Sequence, residues 1–193
     1  MSFSRRFSTW FAAAIGAASL SMPLSVAHAQ DIFDAKSAGH VRNAYLADMD
    51  TLHAKIVALA NAIPADKYSW RPSKDVRSIS EAMMHVAGEW YFFMPKAFAG
   101  NAPAGFAPPK EKLDSLEKTL TTKVQVLAEL DKSWAHGRKE IVNADVSKLT
   151  GKYKPFNVAI DEAALVMADD LHEHLGQLIV YARSVGVKPP WTK

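Results

Sequence analysis

Apolar residues recur every three or four positions through four long stretches of this chain, and that period constrains the fold more than any other feature. From Ala35 to Ala62 the row Val41, Tyr45, Leu46, Met49, Leu52, Ile56 and Leu59 marks one face of an amphipathic helix, which Pro64 ends. A second helix opens at Ser78, where Ser78 and Glu81 form an S-x-x-E capping box. It carries Met84, His85, Trp90, Tyr91 and Phe92 and ends near Pro95. A third runs from about Glu111 into the 130s on Leu113, Leu116, Leu120, Val124, Leu127 and Leu130, with Gly137 expected to interrupt it before Ile141. A fourth spans Val158 to Val185, with Gly186 as its C-cap and Pro189 and Pro190 blocking continuation.

No segment alternates with the period of a strand. The stretch from Ile63 to Pro72 is a rigid loop with aromatic anchors, residues 99–110 are turn formers, and residues 143–157 form an irregular connection. Four helices on short to medium loops predict an all-α protein, an antiparallel four-helix bundle. No repeat or low-complexity tract indicates a second domain.

Residues 1–29 have the three parts of a cleavable signal peptide in order. Arg5 and Arg6 are basic, Trp10 to Leu20 is apolar, and Ala27-His28-Ala29 supplies the small-x-small cleavage site before Gln30. The apolar run is shorter than the roughly 20 residues of a membrane-spanning helix, so no stable membrane anchor is expected. The expected location is therefore outside the cytoplasm, periplasmic or secreted, with residues 30–193 as the mature domain. Ser4-Arg5-Arg6-Phe7 partly matches a twin-arginine signal, which leaves the export route open.

Removing that leader changes the charge balance. The whole chain has 23 basic and 20 acidic residues, and two of the basic ones lie in residues 1–29, which leaves 21 against 20. No basic patch remains to attract nucleic acid or an anionic membrane. The chain has no cysteine, which excludes thiolate nucleophiles, zinc ribbons and iron–sulfur clusters. Any metal site must be built from histidines and carboxylates.

Beyond the leader lie His40, His53, His85, His136, His172 and His174. His85 is bordered on the second helix by Ala82 and Gly88, which leave space for something to approach. Asp170 and His174 are four apart on the fourth helix, on a face otherwise made of Met167, Leu171, Leu178 and Tyr181. A carboxylate and an imidazole inside an apolar stripe are costly unless paired or metal-bound. His172 is about 200° round the helix from His174, so the two do not share one ion. His85, Asp170 and His174 form a three-ligand set with room for water or substrate, or else a neutral structural pair beside a buried histidine. Trp90, Tyr91, Phe92 and Phe93 belong to helix packing, His40, His53 and His136 have no assigned role, and the run Lys110 to Lys118 is a solvated helix face. No nucleophile elbow, phosphate loop or nucleotide fingerprint is present, so no catalytic residue is assigned.

Three stretches together resemble the DinB-like (YfiT-like) superfamily of four-helix bundles. They are Ile63-Pro64 through Trp70-Arg71-Pro72 to Ile79, then Glu81-Ala82-Met83-Met84-His85-Val86-Ala87, then Asp170-Leu171-His172-Glu173-His174-Leu175-Gly176-Gln177 through Arg183. The resemblance implies a divalent ion, zinc or nickel, held by one histidine of the second helix and an H-x3-H of the fourth. His85 matches the first position and His174 the last. The remaining position falls on Asp170, a departure that implies either a mixed site or a branch that has lost its metal. Glu89 is a further carboxylate, as a base or as support behind the ligands. Related folds include thiol-dependent transferases and isomerases. Export away from cytosolic thiols makes hydrolysis of a small-molecule substrate equally expected. The alternatives are a non-catalytic metal- or small-molecule-binding envelope protein and a structural bundle with a degenerate site. Homodimers are common among related bundles, and nothing in this chain requires one.

Overall fold

The computed structural model describes residues 34–106, 109–152 and 157–192. The proposed leader, residues 1–29, lies outside the described residues. The described helices are α1 (Ala35–Ala62), α2 (Ile79–Tyr91), α3 (Phe93–Ala97), α4 (Pro109–Thr119), α5 (Lys123–Val142) and α6 (Ile160–Ser184), with 3₁₀ turns at Ala65–Lys67 and Val146–Leu149. No β-strand occurs among the described residues. None of their helices is long and apolar enough to cross a membrane.

The long helices α1, α2, α5 and α6 form the bundle. α1 packs on α5 and α6, and α2 packs on α5, α6 and α4, so α1 and α2 occupy opposite corners. α1 and α5 run antiparallel. Arg42 donates to the carbonyls of Val142 and Ala144, Arg138 pairs with Asp50, and Lys123 donates to the carbonyls of Asn61 and Ile63. The core is the apolar stripe of each helix: Met49, Leu52, Ile56 and Leu59 from α1 belong to one cluster with Met83, Met84 and Trp90 from α2, all essentially inaccessible. α2 is buried on nearly every side, which makes it the central element.

The ends of the helices follow local chemistry. Asp34 accepts from the Ser37 amide at 2.6 Å and starts α1. Ile63 is extended, as a residue before proline prefers, and α1 stops there. Gly186 takes φ of +83° just past α6. Its amide and that of Val187 turn back to the carbonyls of Arg183 and Ala182 at 3.0 and 2.8 Å, a Schellman stop.

The single third helix expected from residue 111 into the 130s is in fact two. Thr122 accepts from the Gln125 amide, and Gln125 reaches back to the Thr122 amide, so a new helix starts inside the apolar series. Val124, counted in that series, is 78 % exposed, while Val126 is buried. Gly137 does not interrupt α5. It is buried where α5 crosses α2, and a Cβ there would lie 2.4 Å from the Trp90 carbonyl oxygen.

Candidate metal centre

The loop before α2 is anchored at several points. Tyr68 Oη donates to the Ala60 carbonyl at 2.7 Å, and the amides of Ile79 and Ser80 donate back to the carbonyls of Trp70 and Tyr68. The capping box is complete: Ser78 Oγ accepts from the Glu81 amide and Glu81 Oε2 accepts from the Ser78 amide. Arg71 holds the other Glu81 oxygen at 2.7 Å. His85 and Glu89 stand on the next two turns of this fixed helix, four residues apart and therefore on one face.

Both of these side chains meet His174 from α6. His85 Nε2 lies 3.1 Å from Glu89 Oε1, and His174 Nε2 lies 3.2 Å from the same oxygen. The two rings are edge to face with centroids 5.0 Å apart. Glu89 is 4 % exposed. Each imidazole is held from behind at Nδ1. His85 Nδ1 is 2.8 Å from Glu117 Oε1, and Glu117 also accepts from Arg77 Nε at 3.0 Å. His174 Nδ1 is 3.3 Å from Gln177 Oε1, and Gln177 in turn donates to Tyr181 Oη. Anchored Nδ1 atoms aim both Nε2 atoms at one point, the arrangement that orients histidine ligands on metals.

The donor set fits a divalent cation. One ligand atom from each of His85, Glu89 and His174 lies within 4.8 Å of the other two. Two ligands held at about 2.1 Å by one tetrahedral ion stand about 3.4 Å apart, close to the two separations from Glu89. Glu89 Oε2 is buried without a hydrogen-bond partner, which leaves acceptor capacity in the same place.

Protons and a cation compete for these atoms. Burial alone would lower His85, but its hydrogen bonds to Glu117 and Glu89 outweigh burial and raise it to about 9. Burial would raise Glu89, but its bonds to His174 and His85 hold it down at about 2. His174 follows His85: burial opposes the charged ring, and the bond to Glu89 wins and raises it. For the ion-free protein the signs follow from linkage. The His85 contribution to stability is complete below its ordinary 6.5 and is lost as pH rises towards 9. The Glu89 contribution is complete above its ordinary 4.5 and is lost as pH falls towards 2. Melting temperature against pH, measured with a chelator present, is therefore expected to be flat between those ordinary values and to fall on both sides. A melting temperature that climbs from pH 6.5 to pH 9 would contradict the network.

Asp170 stands beside the trio, and the three converging atoms belong to His85, Glu89 and His174. Its carboxyl is raised, first by burial and then by the charge of Glu89, so it holds a proton more readily than an exposed aspartate. His172 points away and pairs with Asp48 at 2.8 Å on the exposed side. His53 stacks on Trp134 at 5.0 Å, and His136 bonds the Asn101 carbonyl. Glu117 is a correction to the solvated run Lys110 to Lys118: its side chain is 14 % exposed and supports His85. The spacing His85-x3-Glu89 was the available signal for Glu89. No local signal marked Glu117, whose role depends on how α4 packs on α2.

Comparison with known proteins agrees with this architecture. The model of the DinB superfamily matches residues 48–178. Uncharacterized protein YjoA of Bacillus subtilis strain 168 is 29 % identical over 133 residues, which covers 66 % of this chain and 80 % of YjoA. The family match takes in α2, α4 and the His174 turn of α6, so His85, Glu89, Glu117 and His174 all lie inside it. Spanning more than half of the sequence, it establishes that the chain belongs to the DinB superfamily.

Proposed function

We propose that the protein is an exported, divalent-metal-dependent enzyme of hydrolase or thiol-transferase type, with its ion held by His85, Glu89 and His174. The observation that carries this reading is the convergence of two imidazole nitrogens and one carboxylate oxygen within 4.8 Å. Zinc and nickel both suit such a set. When bound, a divalent ion supplies Lewis acidity and lowers the pKa of a bound water or thiol, which gives a nucleophile near neutral pH. The chain's own groups do the positioning. Glu117 and Gln177 fix the rings, and Arg77 holds Glu117 in turn. Asp170, raised by burial, can keep or pass a proton at its carboxyl oxygen beside Glu89. Export rests on the signal-like residues 1–29, and the absence of cysteine is compatible with an oxidising compartment.

A non-catalytic binding role has one observation in its favour. Glu89 Oε1 already contacts both rings, so the trio closes as a buried charge network by itself. Elemental analysis separates the two readings from a purely structural bundle. Residues 30–193, purified without affinity histidines, should carry near-stoichiometric divalent metal that His85→Ala and His174→Ala both lose. No metal in the unaltered protein, even after reloading, would remove the metalloenzyme reading. Metal without turnover in a hydrolase and thiol-transfer screen would favour binding alone.

The support behind His85 gives a graded prediction. Glu117→Ala should weaken zinc binding about 10- to 100-fold by isothermal titration, because the ring loses its orienting carboxylate. Unchanged affinity would show that Glu117 serves only Arg77.

A further inference from the structure

Tyr91 stands two residues beyond Glu89, about 200° round α2 from it. There it lines a separate cavity of about 310 Å³, the size of a small-ligand pocket. Its other walls are Pro103 and Phe106 from the loop before α4, Leu116 from α4, and Glu129 and Lys132 from α5. The loop wall is held in place. His136 Nε2 donates to the Asn101 carbonyl and the Asn101 amide donates to Glu140, both at 2.9 Å. The Phe106 amide turns back to the Pro103 carbonyl at 3.0 Å. The rings of Tyr91 and Phe106 are tilted against each other with centroids 5.1 Å apart. Beside them, the buried Tyr91 donates from Oη to Glu129 Oε1 at 2.7 Å. The Glu129 side chain is only 15 % exposed, so a carboxylate is largely enclosed between aromatic walls. Its counter-charge is loosely placed. Lys132 Nζ lies 3.8 Å from Glu129 Oε1 and 6.0 Å from the Tyr91 ring centroid, each at the outer limit of such a contact. The lysine side chain is 73 % exposed, so it reaches this position from solvent.

We propose that this cavity binds a small organic ammonium ion, a protonated primary amine with an apolar body. Packing of the two rings needs no carboxylate, and enclosing one is costly unless a cation or donor meets it. Tyr91 and Lys132 both use Oε1, which leaves Glu129 Oε2 to accept from an ammonium group. The face of the Tyr91 ring attracts the same positive charge, while Phe106 and Leu116 offer surface to the apolar body. Lys132 is then a built-in competitor: it brings an ammonium group to this place and swings into water when the ligand enters. An anionic ligand would meet Glu129 head on, and a neutral one would forgo the carboxylate. The cavity shares no side chain with His85, Glu89 and His174, so the inference stands apart from the metal reading.

The probe is benzylammonium, titrated calorimetrically at neutral pH into the protein and into its Glu129→Gln and Lys132→Ala variants, with benzyl alcohol as the uncharged control. Glu129→Gln keeps an acceptor for Tyr91 Oη, and Lys132 is on the surface, so both variants should fold; circular dichroism checks this. Saturable binding to the unaltered protein is expected, at least ten-fold weaker in Glu129→Gln and for benzyl alcohol, since a charged hydrogen bond is lost. Lys132→Ala should bind up to about five-fold tighter, because the competing surface pair is gone. Those opposite signs distinguish a seated ammonium ion from general stickiness. Equal affinity in the folded Glu129→Gln variant would overturn the proposal. So would the lack of saturable binding up to about 10 mM in both the unaltered protein and Lys132→Ala.

Discussion

Glu89→Ala is expected to abolish divalent-metal binding and to destabilise the ion-free protein by about 3 kcal/mol, the low end of the cost of breaking a buried ion pair. The carboxylate is 4 % exposed and is the common partner of both rings. Without it, two imidazoles with ring centroids 5.0 Å apart have no carboxylate between them. His85 loses one of the two bonds that hold its pKa at about 9, and His174 loses the main one that raises it. Their side chains are 18 % and 17 % exposed, so they can shed protons or admit water, which is why the low end is chosen. Glu89→Gln keeps an acceptor of the same shape and should fall between the two. Denaturant unfolding at pH 6 and zinc titration measure both effects. Wild-type stability together with wild-type zinc uptake in Glu89→Ala would refute the assigned role.

Gly137→Ala should destabilise the fold by about 1–3 kcal/mol even though alanine is the better helix former. A Cβ at Gly137 would stand 2.4 Å from the Trp90 carbonyl oxygen and 2.6 Å from Met94 Cε. The methionine end can move, but the carbonyl belongs to the backbone of α2 and moves only with its helix. Trp90 follows Glu89 directly, so the displacement also reaches the centre. A fall of several degrees in melting temperature, with weaker zinc binding, is the expected result. A stabilised variant would mean that α5 and α2 do not approach this closely.

The features read correctly from sequence were those decided by local chemistry. The bounds of α1, the Ser78–Glu81 capping box and the Gly186 stop each depend on residues within one turn. The break between α4 and α5 was hidden because the leucines around it keep a helical spacing across the gap. Thr122 and Gln125 form a capping box there, but they sit inside a periodic series that outweighed them. From sequence Gly137 reads as a helix breaker, whereas the crossing of two helices is what requires it. In the centre, His85 and His174 were legible as histidines placed to face the bundle interior. Glu89 lies one turn beyond His85 and reads as a base or as support behind the ligands; its contact with both rings depends on how α6 packs on α2. Glu117 was illegible, since Glu111, Asp114 and Lys118 of its charge-rich helix are exposed and only the packing of α4 on α2 brings this carboxylate inward.

The most direct measurement is an anomalous difference map at the zinc absorption edge from a crystal of the zinc-loaded protein. It should show one peak about 2 Å from His85 Nε2, His174 Nε2 and a Glu89 carboxylate oxygen. No peak at that position, or an ion held by Asp170 with Glu89 withdrawn, would contradict the assignment.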